Sequence, residues 1–124
     1  MGVIHRFGGD ATGMRWDGVS VQRYDDPSAR AVTRQVLIGP REGAGAFAVR
    51  YFELGPGGRT ALDDHCHDHG VVILRGRGRV RLGDHEYDVG AGDVVYVSPH
   101  EVHQFFNRAE GEPLGFLCVV PPRS

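Results

Sequence analysis

GGRTALDDHCHDHGVVILRG, residues 57–76, decides how the chain is read. It holds three of the seven histidines, His65, His67 and His69, with Asp63, Asp64, Cys66 and Asp68 among them. An apolar run, Val71 to Leu74, follows at once and ends in a glycine turn at Gly76. Alternate residues of an extended strand share a face. Asp63, His65, His67 and His69 all fall on odd positions, so any part of the stretch that is strand presents them to one side. A strand that ends in a turn can bring several imidazoles to one point, as a metal ion requires.

Working outward, short β-rich runs fill the chain on both sides. They are 19–24, 31–38, 47–54, 60–65, 69–75, 79–82, 85–89, 93–97, 102–107 and 114–120. Turn signals separate them: Asp25-Asp26-Pro27, Gly39-Pro40, Gly55 to Gly58, Gly83-Asp84, Gly90-Ala91-Gly92 and Glu110-Gly111. Nineteen glycines, against about nine at the usual ~7%, serve those turns. No dozen residues hold a 3.6-residue apolar period. Many short strands with close-set turns predict an antiparallel sandwich or barrel. Arg77, Arg79 and Arg81 alternate with Val80 and Leu82, which predicts a strand with a solvated basic face. In Asp93 to Val97 almost every residue is apolar, which predicts a strand covered on both faces. Around Tyr51 and Phe52 the facing stays open. Residues 1–18, glycine-rich and without periodicity, are expected to form an arm, partly mobile or packed on a neighbouring subunit. Residues 19–124 then form a single domain.

Composition narrows the function. At 124 residues the chain is long enough for a core without disulfides, and its 24% charged and 40% hydrophobic residues are those of a globular protein. The net charge of −2 is close to balance. With no Lys/Arg cluster beside exposed aromatics, no nucleic acid is expected as a partner. No run approaches the ~18–20 apolar residues of a membrane span, and no leader pattern opens the sequence. A cytoplasmic protein without membrane contact is the expectation. Cys118, in the apolar run 114–120, reads as a small core residue. Cys66, at an even position, reads as pointing away from the histidine face. His5 and His85 read as surface residues.

A second cluster, Ser98-Pro99-His100-Glu101-Val102-His103-Gln104-Phe105-Phe106-Asn107, puts His103, Phe105 and Asn107 on one strand face. Together the two clusters resemble the two motifs of the cupins. In the first motif Gly57 takes the opening glycine, Asp63 and His65 the His-x-His positions, His69 the glutamate position and Gly76 the closing glycine. In the second, Gly92, Ser98, His100, His103 and Asn107 take the Gly, Pro, Gly, His and Asn positions. Fifteen residues separate the motifs, a spacing similar to that of compact bacterial cupins. The resemblance implies a single-domain double-stranded β-helix, an antiparallel jelly-roll barrel, with His65, His69 and His103 as metal ligands. A histidine at the glutamate position, with the runs at 36–39, 56–58 and 116–118, is similar to four-histidine manganese cupins of thermophilic bacteria.

The expected metal set is His65, His67, His69 and His103, with Asp63 the competing fourth ligand or a partner holding an imidazole N–H. Asp63 has the motif position and can ligate through oxygen; His67, in a turn, can swing inward to complete four nitrogens. A carboxylate suits Fe(II) or Mn(II), and an all-imidazole set also suits Zn, Ni and Cu. The expected cofactor is therefore one divalent transition metal, with Mn or Fe favoured. His100, which replaces a turn glycine at the barrel mouth, is expected to be exposed. Phe105 and Tyr96 are expected to wall a substrate pocket, and a mostly apolar wall suits a small organic ligand rather than a sugar phosphate. The leading expectation is an oxygenase-type metal enzyme. A redox-neutral isomerase, lyase or decarboxylase is the alternative, and a non-catalytic ligand-binding module the third reading. Cupins commonly pair through sheet edges, so a homodimer is expected.

Overall fold

A computed structural model describes residues 1–9, 13–24 and 26–122. Asp25, at the head of one expected turn, lies outside the described residues. Nine strands follow one another: β1 (Gln22–Arg23), β2 (Arg30–Ile38), β3 (Ala48–Arg59), β4 (His69–Arg75), β5 (Arg77–Leu82), β6 (His85–Gly90), β7 (Val94–Val97), β8 (His103–Phe106) and β9 (Leu114–Val120). A single 3-10 turn, Pro40–Glu42, stands between β2 and β3. All pairings are antiparallel, and the sheet runs β6-β5-β8-β3-β9-β4-β7, with β1 and β2 attached alongside β3. This curled antiparallel sheet is the all-β architecture the turn spacing predicts. No helix of the described residues is long and apolar enough to cross a membrane.

The concave face is the core. Phe52 and Leu54 of β3, Val71 and Ile73 of β4, Val80 of β5, Val95 and Val97 of β7, Phe105 of β8 and Leu114, Phe116, Cys118 and Val120 of β9 form one buried cluster. Each fully buried side chain of this kind contributes about 1.5–3 kcal/mol. The rings stack inside it, Phe116 lying 4.5 Å from Phe105 and 5.6 Å from Phe52 between centroids.

Three local expectations are corrected. Gly55 to Gly58 does not end a strand: β3 runs through it to Arg59. Gly57 supplies a left-handed φ of 75°, and Gly58 passes so close to the Arg30 carbonyl that a Cβ would not fit, so the strand bends instead of stopping. Residues 60–65 form no strand beyond an isolated bridge between Asp63 and His103. The Thr60 hydroxyl, not a carbonyl, receives the Phe105 N–H, and Ala61 and Leu62 lie opposite Gln104 alone. That two-against-one count interrupts the ladder as a bulge does. Finally, β7 is an edge strand, with Val94 73% and Tyr96 59% exposed. The run Asp93–Val97 is therefore covered on one face, not two.

Met14 and Trp16 lie against the chain's own β2 and β3. Phe7 and Trp16 form a bridge, Trp16 packs 5.1 Å from Tyr51 between ring centroids, and Gln35 Nε2 donates to the Met14 carbonyl at 2.8 Å. His5, expected at the surface, is half-buried and bonded to Glu42 at 3.1 Å.

Candidate metal centre

Three elements carry the imidazoles to one end of the barrel. His69 opens β4 on the same face as Val71 and Ile73, and His103 opens β8 on the face of Phe105; both are buried. His65 comes from the irregular segment before β4. Mutual backbone bonds hold that segment in place, His103 N–H to the Asp63 carbonyl at 2.8 Å and Asp63 N–H to the His103 carbonyl at 3.1 Å. The His100 N–H donates to the His65 carbonyl, tying the second cluster's turn to the first cluster. In consequence one ligand atom from each of His65, His69 and His103 lies within 4.8 Å of the others. Two bonds of ~2.1 Å to one ion hold their nitrogens at most about 4.2 Å apart, so small side-chain rotations close the set.

The protonation pattern suits a metal. His69 Nε2 is buried with no hydrogen-bond partner, an orphan that water-free burial makes costly unless something else uses its lone pair. The Nδ1 atoms of the two buried histidines have partners: His103 Nδ1 lies 2.9 Å from the Glu101 carbonyl and His69 Nδ1 lies 3.5 Å from Cys118 Sγ. An Nδ1–H donated to the Glu101 carbonyl leaves His103 Nε2 with its lone pair free, the tautomer a metal ligand needs. Burial brings His69 down to about 3, helped by the positive charges that His103, His65 and His67 carry when protonated. Burial also lowers His65, with the Asp63 carboxylate pulling the other way. Neutral imidazoles clustered round an orphaned nitrogen fit a divalent cation.

The two candidates for a fourth ligand line the same cavity but lie outside the converging group. Asp63 Oδ2 is 3.9 Å from His65 Nε2. The His67 ring stacks 5.2 Å from His65 and 4.8 Å from His69 between centroids. Phe105 is on the cavity wall, with Phe52, Phe116 and Val71. Tyr96 is not: on β7 Val95 and Val97 take the inward positions, so Tyr96 points out and its hydroxyl donates to Asp68 at 3.2 Å. His85 and His100 are exposed, Cys66 is exposed and Cys118 is buried.

Comparison with known proteins agrees with the fold. The model of the Cupin domain family matches residues 50–120. The chain belongs to the cupin family. A relative from Rhodospirillum rubrum, 1-methylthio-D-xylulose 5-phosphate methylsulfurylase, is 43% identical over 109 residues, covering 86% of this cupin and 68% of the relative. A cupin-2 domain crystal structure, also from R. rubrum, superposes with a TM-score of 0.83 at 39% identity, over 94% of this cupin and 78% of that chain. The polyketide cyclase RemF of Streptomyces resistomycificus gives 0.80 at 27% identity, over 98% of this cupin and 81% of that chain.

Several motif positions of this cupin have structural work. Gly57, Gly76 and Gly92 adopt φ of 75°, 78° and 92°. At Gly76 a Cβ would also overlap the Pro113 carbonyl oxygen. Asn107, 1% exposed, donates to the Leu54 and Glu112 carbonyls at 3.0 and 2.8 Å and accepts from the Ala109 N–H at 3.0 Å. Among the cavity residues that sequence reasoning missed are Arg50, Tyr24 and Cys118, the last placed in the core but not beside His69. The only signal for Arg50 was its even position beside Phe52 and Leu54. It was masked because Tyr51, on the opposite face, is also buried, under Trp16.

Proposed function

We propose that this cupin is a metal-dependent enzyme that uses one divalent ion, held by His65, His69 and His103, to act on a small organic substrate. The observation that carries the reading is the buried, unpartnered Nε2 of His69 within the three-histidine group. Asp63 or His67 completes the set. When bound, the ion supplies Lewis acidity toward a carbonyl or phosphoryl oxygen. The chain's own residues do the rest. Burial keeps His69 neutral, the Glu101 carbonyl orients His103, and Phe52, Phe105 and Phe116 exclude water. The Asp63 carboxylate stands at the cavity as a proton acceptor.

The relatives' names favour redox-neutral chemistry over the oxygenase expected from the ligand set, since they are a methylsulfurylase and a cyclase. Oxygenase activity is the second reading, supported by a carboxylate beside imidazoles, which suits Fe(II) or Mn(II). The test is to load the protein with Mn(II), Fe(II) or Zn(II) and offer 1-methylthio-D-xylulose 5-phosphate together with a thiol, which takes the methylthio group as a mixed disulfide and gives its hydrogen to the carbon left behind, with an oxygen electrode in the cell. Metal-dependent turnover without oxygen uptake is expected. Stoichiometric oxygen consumption would establish the oxygenase instead, and no turnover of that compound or close analogues with any metal would return the protein to a binding role.

We also propose a homodimer, formed through the outer face of β9, β4 and β7. There Val119, Gly70 and Tyr96 form one row across the strands and Leu117, Val72 and Val94 the next, an exposed apolar surface at a sheet edge.

A further inference from the structure

Among the described residues lining the cavity, Arg50 is the only lysine or arginine. It stands on β3 between residues whose neighbours Phe52 and Leu54 face the core, and its guanidinium carbon lies 5.2 Å from the Phe52 ring centroid. One contact is a weak one, Nη2 donating to Cys118 Sγ at 3.7 Å. Its Nε is buried without a hydrogen-bond partner. Among the described residues no carboxylate lies within 4.0 Å of it. Arg79, in contrast, meets both Glu86 and Asp88. The one carboxylate among the described lining residues, Asp63, lies instead 3.9 Å from His65. A guanidinium drawn into an aromatic-walled site without a counter-charge is costly to keep there. Its planar fork is matched by a carboxylate or phosphate.

We propose that Arg50 binds an oxyanion group, carboxylate or phosphate, of the ligand on which the histidine centre acts. The proposal rests on the enzymatic reading of that centre for its meaning, but not for its test. Tyr24 lines the same cavity and packs edge-on to Phe52, 6.0 Å between centroids. Burial and the nearby Asp63 charge keep its phenol protonated, so it offers a hydroxyl donor beside the guanidinium. The ligand is thus held by its anionic end at Arg50 and Tyr24, while its other end meets His65, His69 and His103. A charged anchor of this kind is what the apolar-wall reading of the sequence lacked, and it readmits phosphorylated substrates.

The test titrates metal-free protein with acetate and with inorganic phosphate, using acetamide as the uncharged control. Both oxyanions, or one of them, should bind and acetamide should not; the tighter of the two names the oxyanion class. Arg50→Gln should weaken binding at least about tenfold, with Arg50→Lys in between, because a lysine keeps the charge and loses the fork. Metal uptake by Arg50→Gln should match the wild type. Unchanged anion binding in Arg50→Gln, or acetamide binding as well as acetate, overturns the proposal. Should Arg50→Gln fail to fold, the Arg50 Nε–H resonance of the wild type decides: it should move on titration, and a stationary signal overturns the assignment. Anion binding by a wild type that takes up no metal would sink the metal-enzyme reading and leave the Arg50 site standing.

Discussion

His103 and His85 open β8 and β6 at comparable distances along the chain, yet only one of them meets other imidazoles. Replacing His103 with alanine should remove most bound metal, whereas His85→Ala should leave metal content at the wild-type level; equal content in both would end the ligand assignment. Between the competing fourth ligands, metal analysis of Asp63→Ala and His67→Ala separates three histidines plus a carboxylate from four histidines. Protons give an independent check. His69 falls from an ordinary 6.5 to about 3 through burial and its positive neighbours. Between those values the unfolded chain holds a proton that the folded chain does not, so the contribution is complete above about pH 6.5 and is lost as pH falls. The melting temperature of EDTA-treated protein should therefore drop from about pH 6.5 toward pH 4, and His69→Gln should show a shallower drop. Parallel curves would remove His69 from the account. The converging histidines were legible because they stand in two dense clusters. Arg50 was not, because nothing in sequence tells which face of a strand an arm will cover.

At the level of the element, parity was a sound guide within strands and failed between them. His69, Val71 and Ile73 share the concave face as alternation requires, and so do His103 and Phe105. From Thr60 to Asp68 the ladder is interrupted, and His65 and His67 are placed by the bridge between Asp63 and His103, not by their odd numbers. Tyr96 was misplaced for a related reason: an all-apolar strand looks central, but β7 ends the sheet. The turns carry their own predictions. His100 sits at φ 64°, a left-handed conformation that costs a non-glycine residue roughly 1–2 kcal/mol. His100→Gly, which restores the glycine of the cupin motif, should leave the melting temperature unchanged or higher. Gly76→Ala joins the same backbone penalty to a clash with the Pro113 carbonyl between β4 and β5. It should cost at least about 3 kcal/mol in chemical denaturation, and a loss below 1 kcal/mol would show that this turn can relax.

The whole molecule poses the question of what covers its outer surface. The fold class was legible from turn spacing and glycine content, and the domain match to cupins agrees with it. The exposed sheet edge was not, since an outward Val94 and Tyr96 look in sequence like core. If the β9–β4–β7 face joins two copies, light scattering after size exclusion should give a dimer, and Tyr96→Asp should give a monomer with its fold intact. A wild-type monomer at micromolar concentration would rule that face out. The far side of the sheet already has a cover, the segment whose Trp16 rests on Tyr51. Trp16 is the only tryptophan in the chain, so the indole emission of this protein comes from that docked segment and from nowhere else. Fluorescence and far-ultraviolet circular dichroism thus watch different parts of the molecule during heating. A red shift that precedes the loss of ellipticity would show the segment peeling away from an intact barrel, whereas coincident transitions would make it part of the same cooperative unit.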